Sequence, residues 1–458
     1  MADSLFDWLP SPSQHFLVVA VALLVYVLTT RAQRQQRAPT TAIAWVMALV
    51  LLPYVMLPIY LLFGQRKLRP AGSPRPPRTS PAKHWAAELI DSFGLAPPSP
   101  CEIRMHADGT AAREALHEVI EGARERLDVG TFIIGTDAFG QDVLARLVRR
   151  AREGVKVRVL LDGFGALSLP RRHFDQLREA GGDVTVFRPL FSLRNTGPRN
   201  LRNHRKVAIA DDQWLWSGGR NLAGEYFCGN EHCPKPWLDL SFDLKGNAAA
   251  AAARQFSHDW GSARKREPRR IPDLPQPSGG GSLAQYLPSG PDQTEDTAQS
   301  LLIDASFRAQ HRLLAITPYF VPGDGLRDAL RLAARRGVQV TIAIPQVSNH
   351  HLADFVRARA MRDLARAGVT FRMLPFMAHA KAVVVDDDLA LCGSINLDGR
   401  SLLLNHESAV VFYDPKEIDW LAHWIETTAS AGETFRARRP GLVRDLAEGL
   451  LLTIAFQV

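Results

Sequence analysis

The chain has 458 residues, 46% apolar and 22% charged, a make-up that fits a folded protein and excludes wholesale disorder. A mean hydropathy of -0.09 excludes a polytopic membrane protein but leaves room for one or two local spans. Lysine and arginine outnumber aspartate and glutamate by 55 to 47, which suits nucleic acid or an anionic lipid headgroup.

Two apolar runs open the chain. No charged side chain occurs from Trp8 to Thr30, and a second uncharged run covers Ala38–Gln65. About 20 residues cross a bilayer core, so both runs are long enough, and Pro53 and Pro58 are tolerable in a membrane helix. Asp3 and Asp7 stand where a signal peptide would carry basic residues, so a two-span hairpin is expected over residues 1–70. Arg31, Arg34 and Arg37 lie between the runs, while Arg66, Lys67, Arg69, Arg75, Arg78 and Lys83 follow the second. That excess places the bulk of the chain in the cytoplasm. Ala71–Ser80, rich in Pro and Arg, reads as a linker within 71–100.

Two related halves follow, expected at 101–261 and 283–458. Thr131–Gly165 and Ile316–Pro345 each read as strand, turn, amphipathic helix and second strand. The helix stripes are Val143, Leu144, Leu147 and Val148 in one, and Leu326, Leu330, Leu332 and Ala333 in the other. Such alternation argues for α/β units with parallel strands. Between the halves, Ser262–Ser282 is rich in Pro, Gly and Arg and reads as an exposed connection. The tail Gly441–Val458 reads as a last packed helix. The four cysteines form no disulfide framework, and Cys228, His232 and Cys233 are too few to complete a metal site.

The chemistry repeats in register. Both halves carry His-x-Lys-x-x-x-x-Asp, six residues, then Gly-(Gly/Ser)-x-Asn. The first copy is His204, Lys206, Asp211, Gly218, Gly219 and Asn221; the second is His379, Lys381, Asp386, Gly393, Ser394 and Asn396. One such His-Lys-Asp spacing is expected only ~0.02 times by chance in a chain with so few His and Lys. VAIA and AVVV are predicted strands, which puts His and Lys on one face. Two His, two Lys and two Asn meeting from twofold-related halves make a pocket for a phosphate diester. Lys is a compact charge for nonbridging oxygens, Asn donates hydrogen bonds, and one imidazole attacks phosphorus while the other protonates the leaving oxygen. Asp212, Asp387 and Asp388 read as turn residues, and His350 and His351 as a solvated helix start.

The stretches PIYLLFG, LLDGFG, LRNHRK, SGGRNLAGEY, ITPYFVP, HAKAVVVDD and GSINLDGRSLLLNHES resemble the phospholipase D superfamily, in its bacterial cardiolipin synthase branch. The resemblance implies an α/β fold: two βα-sandwich halves in pseudo-twofold symmetry, with one active site between them, after a transmembrane hairpin. It implies an enzyme of the bacterial inner membrane, multi-pass, that turns two phosphatidylglycerols into cardiolipin and glycerol through a phosphohistidine. The implied partners are phosphatidylglycerol, other anionic phospholipids and the membrane, with no nucleic acid, cofactor or metal. His204 is the nucleophile and His379 the acid and base, although the symmetry of the motifs leaves that order open. Lys206 and Lys381 supply charge. Asn221, Ser394 and Asn396 hold the phosphate, and Asp211 and Asp386 orient a histidine or brace a turn. Glu225 and Glu407 are candidates to support the histidines. A lipid hydrolase or another phosphatidyltransferase would show the same motifs, and a nuclease of the superfamily is a further alternative that the hairpin disfavours.

Overall fold

Proline decides the shape of the N-terminal end. The computed structural model describes residues 11–32, 39–64, 66–68, 84–170, 172–191, 198–275 and 280–455. Helix α1 (Pro12–Ala32) is, among the described residues, the one helix long and apolar enough to cross a membrane. The second apolar run is two shorter helices, α2 (Pro39–Leu51) and α3 (Pro53–Phe63), of 13 and 11 residues. At 1.5 Å per residue neither alone spans a core of roughly 30 Å. Pro53 lacks an N–H and disfavours a helical residue before it, and Leu52 turns out to φ -136° and ψ 56°. The expected second span and multi-pass placement are thus not supported: among the described residues only α1 is long and apolar enough to cross, with a broken pair of shorter apolar helices beside it. The three helices meet around Ala22, Tyr26, Leu49 and Tyr60, with a 2.6 Å hydrogen bond between the hydroxyls of Thr29 and Tyr60. Arg34, Arg37, Arg69, Arg75, Arg78 and Ala71–Ser80 lie outside the described residues.

After α4 (Trp85–Ser92) the first half runs β1 (Ser99–His106), α5 (Gly109–Gly122), β2 (Arg126–Thr131), α6 (Ala138–Arg152), β3 (Lys156–Asp162), α7 (Asp175–Glu179) and β4 (Asp183–Phe187). It continues with β5 (Val207–Ala210), β6 (Trp214–Gly218), β7 (Ser241–Gly246) and α8 (Asn247–Arg264). The second half runs β8 (Ser282–Ser289), α9 (Thr297–Arg308), β9 (Arg312–Ile316), β10 (Phe320–Val321), α10 (Asp324–Arg335), β11 (Gln339–Pro345), α11 (His351–Ala367) and β12 (Thr370–Leu374). Then come β13 (Ala382–Val385), β14 (Leu389–Gly393), β15 (Leu397–Asp398), α12 (Gly399–Leu403), β16 (Glu407–Phe412), α13 (Pro415–Ser430), β17 (Glu433–Thr434) and α14 (Leu442–Ala455).

Fifteen strands form one continuous sheet in the order β17-β12-β11-β9-β13-β14-β16-β8-β1-β7-β6-β5-β2-β3-β4. Outward from the β8–β1 seam the two halves mirror each other over seven strands each, and β17 adds an edge strand to the second half alone. The expected parallel strands are β2-β3-β4 and β9-β11-β12; the motif strands β5, β6, β7 and β13, β14, β16 pair antiparallel. One core lies between the sheet and α8 with α13, where the alanine run of α8 lets the helix lie close to the strands. Separate cores fill the opposite face of each half.

Helix stripes follow the 3.6-residue period. Asp137 caps α6 by accepting from the Gly140 N–H, and Val143, Leu144, Leu147 and Val148 are buried. In α10, Leu326, Leu330 and Ala333 are buried but Leu332 is 43% exposed, because six residues after Leu326 is the wrong angle for the stripe. The described part of the predicted linker is tied down rather than free. Arg269 N–H donates to Ser257 Oγ at 2.7 Å, Ile271 is buried, and Leu274 N–H donates to Asn247 Oδ1 at 2.7 Å. Helix α14 packs on α11, with buried Glu448 paired to Arg362 and to Arg444.

Candidate active site

The residues ahead of β5 and β13 enter the site in extended chain, each locked to the other half. His204 N–H donates to the His406 carbonyl at 2.8 Å, and His406 N–H to the Arg202 carbonyl at 2.8 Å. The mirror image holds His379, whose N–H donates to the Leu238 carbonyl, while Leu238 N–H donates to Met377. The residues following His406 and Leu238 are Glu407 and Asp239. Their carboxylates therefore arrive at the histidines of the opposite halves: His204 Nδ1 lies 2.9 Å from Glu407 Oε1, and His379 Nδ1 lies 2.7 Å from Asp239 Oδ2.

Sequence reading identified Glu407 but chose Glu225 as its counterpart. Glu225 instead accepts from Asn230 Nδ2 at 2.8 Å and supports the turn carrying Tyr226 and Trp237, whose rings flank His379. The signal for Asp239 was register. Gly393 pairs with Ala409 and Gly218 with Ser241, and the carboxylate stands two residues before the paired position in each case.

Asp211 and Asp386 do not reach a histidine. They lie at the far ends of β5 and β13, roughly 20 Å of extended chain from His204 and His379. Each adopts positive φ, 51° and 49°, and accepts three backbone N–H groups, from Arg124, Glu125 and Arg126 or from Gln310, His311 and Arg312. They brace the turns that close the two motif hairpins. Asp212 and Asp387 sit in the same turns and pair with Arg269 and Arg312.

Lys206 and Lys381 are buried. Lys206 Nζ donates to the His204 carbonyl at 2.9 Å, and Lys381 Nζ lies within 3.0 Å of both His379 ring nitrogens. Burial lowers Lys206 to about 7 and Lys381 to about 8, with the carboxylates opposing it. Burial also lowers His204 to about 4 and His379 to about 3. For Asp239 and Glu407 burial pulls upward, but the facing histidines and lysines win and hold both below the usual carboxylate range, Asp239 at about 2. At neutral pH the resting site holds neutral imidazoles on ionised carboxylates.

Ser394 does not face the site as a free hydroxyl: its Oγ donates to Glu407 Oε2. At the matching Gly219 a Cβ would lie 2.2 Å from Asp239 Oδ1, so the shorter carboxylate occupies the space where the other half has a serine. Asn221 and Asn396 are buried, and the amide oxygen of each has no partner among the described residues; Asn396 Nδ2 donates to Ser401 Oγ at 3.1 Å.

Two arginines unremarked in the sequence hold the carboxylates' backbone. Arg220 Nη2 donates to the Asp239 carbonyl at 2.5 Å, and Arg205 Nε to the Glu407 carbonyl at 2.9 Å. Asp259, Asp292 and His406 come close enough together to hold a cation, but Arg205 fills that role, with Nη1 at 2.7 Å from both Asp259 oxygens and Nη2 at 3.0 Å from Asp292. A cavity of about 680 Å³ opens onto this centre, with His204, Phe132, Tyr319, Val356, Asn396 and Arg400 in its wall. His204 keeps 14% of its side chain exposed and His379 4%. His350, read from sequence as a solvated helix start, also lines the cavity, edge-on to Tyr319.

The chain matches the family "Cardiolipin synthase, PLD-like domain" over residues 116–260 and 302–428. It is also 33% identical over 438 residues to cardiolipin synthase A of Pseudomonas putida (strain W619), covering 90% of this chain and 91% of that one. The chain belongs to the cardiolipin synthase family. A second family member, cardiolipin synthase A of Pseudomonas aeruginosa (strain LESB58), is 33% identical over 423 residues, 87% of this chain and 86% of that one. Residues 18–65 match the family "Phospholipase_D-nuclease N-terminal". A solved structure, phosphatidylserine synthase from Haemophilus influenzae Rd KW20, shares the fold at a TM-score of 0.61 and 15% identity, over 81% of this chain and all of that one. As a cardiolipin synthase family member with a phospholipase D-like fold, the protein is a membrane-associated phosphatidyltransferase acting on phospholipids.

Proposed function

We propose that the enzyme joins two phosphatidylglycerols into cardiolipin and glycerol through a phosphatidyl-histidine. The observation that carries this reading is the crossed pair of histidines, each bound at Nδ1 by a carboxylate of the other half, with His204 in the wall of a largely apolar cavity. With Nδ1 engaged by a carboxylate, Nε2 is the ring atom available for chemistry, open on His204 and beside Lys381 Nζ at 3.0 Å on His379. His204, the more exposed and the one lining the cavity, attacks phosphorus with Nε2. The P–O bond to glycerol breaks, and the departing oxygen takes a proton from His379 Nε2. The hydroxyl of the second phosphatidylglycerol then returns a proton to His379 as its oxygen attacks phosphorus and the P–N bond breaks. One phosphodiester replaces another, so the exchange consumes neither water nor nucleotide.

A buried neutral imidazole is a ready nucleophile, and the incoming phosphodiester's negative charge favours the proton His379 must carry. Lys206 and Lys381 face the nonbridging oxygens, whose charge rises in the transition state. Exchanging O and N in the Asn396 amide would let the Ser401 hydroxyl donate to it and free Nδ2 for the phosphate. The same reading places the catalytic halves on the cytoplasmic face of the inner membrane, supported by the basic residues after the second apolar run. A reporter fused after Val458 checks this, with periplasmic activity counting against it.

The deciding experiment incubates the full chain with phosphatidylglycerol vesicles and EDTA. Cardiolipin and glycerol in equal amounts are expected. Phosphatidic acid as main product would make the enzyme a hydrolase, and loss of activity to EDTA would reject metal-free transfer.

A further inference from the structure

The end of the apolar N-terminal helices is joined to the rim of the cavity through five contacts. The Arg199 N–H donates to the Leu62 carbonyl at 3.1 Å, and Asn200 Nδ2 to the Phe63 carbonyl at 3.0 Å, fixing the C-terminus of α3 to the catalytic body. Two residues on, Arg202 binds Asp162 through Nε at 3.0 Å. Asp162 Oδ1 in turn accepts the Phe164 N–H at 2.7 Å, which starts the Gly165–Ser168 turn. On the other side, Arg400 Nη2 donates to the Asn200 carbonyl at 3.0 Å, so a cavity-wall arginine is held by the residue that holds the anchor.

Phe164 and Leu167 are both part of the cavity wall, and yet 58% and 50% exposed. Residues that line a cavity and face outward stand at its mouth. The Phe164 ring stacks on Phe132 with centroids 6.4 Å apart, the rest of this apolar surface is open among the described residues, and both residues stand at the end of the short polar chain that begins at α3. The outward faces of α1 to α3 are themselves apolar, with Phe16, Leu24, Leu28, Met47 and Val55 exposed. Whatever covers that helical surface therefore reaches the body where the cavity opens. For helices of this composition it is hydrocarbon.

We propose that Phe164 and Leu167 form a lip that dips into the leaflet from which α3 emerges, so that a phospholipid passes sideways from the bilayer into the cavity. The occupant is the acyl-headgroup boundary of that leaflet, matched by an apolar lip with buried cations behind it. A lipid entering this way exposes little of its chains to water while its phosphate advances to His204. The inference rests on the reading that membrane phospholipids are the substrate.

The test uses the full chain with Cys228 and Cys233 replaced by Ser, since these thiols are the ones not buried. Leu167→Cys or Phe164→Cys is labelled with an environment-sensitive fluorophore in vesicles of phosphatidylglycerol and phosphatidylcholine. Asp387→Cys serves as reference, being 80% exposed in the turn at the opposite end of β13 from the site. Nitroxide-bearing lipid should quench the label at Leu167 and Phe164 at least twofold more than at Asp387. Equal quenching at all three positions overturns the lip. Cardiolipin formation by the Asp387-labelled protein is followed separately. Turnover with a water-exposed Leu167 rejects the lip and leaves the enzymatic reading standing, and a lipid-embedded Leu167 without cardiolipin does the reverse.

Discussion

At the residue scale the site separates groups that touch substrate from groups that hold them. His204→Ala and His379→Ala should each cost about 10³-fold or more in kcat, because one removes the nucleophile and the other the proton carrier. Asp239→Asn and Glu407→Gln keep the shape but lose the charge on Nδ1, and should lower kcat by ~10²-fold or more with little change in KM. Asp211→Ala and Asp386→Ala should behave otherwise: each frees three backbone N–H groups and should cost about 2–3 kcal/mol in denaturant unfolding. A large kcat loss in a still-folded Asp211→Ala protein would show that the turn assignment is wrong. On the alkaline side of the pH profile the lysines add to the loss of the proton that His379 must carry. Lys206 at about 7 and Lys381 at about 8 lose charge as pH rises, so kcat/KM should fall above pH 7 to 8. Bound phosphodiester holds the protons on, so kcat at saturation should decline only at higher pH; a kcat/KM rising through pH 8 would reject the charge role. The His, Lys and Asn of both motifs were legible in sequence because a repeated spacing is a one-dimensional signal. Asp239 was not, since its place depends on which residue of β7 pairs with Gly218, a fact about two strands side by side.

At the element scale the broken second apolar run matters most. Its length suggested a span, but a hydropathy count does not register the Pro53 break, and nothing in composition reveals that α3 ends on the catalytic body. Just beyond α3, Lys67 is buried, with Nζ donating to the Gly290 and Glu295 carbonyls at 3.0 Å and paired with Asp296 at 2.8 Å. That loop continues to Asp292, which holds Arg205, which holds the Glu407 backbone. Lys67→Met should therefore cost roughly 3 kcal/mol in stability, as expected when one partner of a buried ion pair is removed. It should also raise amide hydrogen exchange across 290–296, with partial rescue by Lys67→Arg. Unchanged exchange there would mean that the anchor hangs loosely. The repeat helices, by contrast, were readable in detail, and Leu332 alone among the named stripe residues faces outward.

At the scale of the whole molecule the continuous sheet and the crossed carboxylates make the halves interdependent. The seam pairs Ser99 with Ala284 and Cys101 with Ser282, so cutting the chain at 276–279 leaves an open strand edge on each fragment. Fragments 1–275 and 280–458 expressed singly should show no turnover, and co-expression should restore part of it. Turnover by either fragment as a monomer would mean that one histidine suffices. A lone copy of the repeat would carry a histidine lacking its carboxylate and a carboxylate lacking its histidine, and only two copies face to face complete both. Joining them in one chain fixes their ratio at one to one and releases them from being alike. Gly219 opposite Ser394, and Asp239 opposite Glu407, are differences that two identical partners could never hold, and they allow the two ends of a reaction to be served by unequal hands.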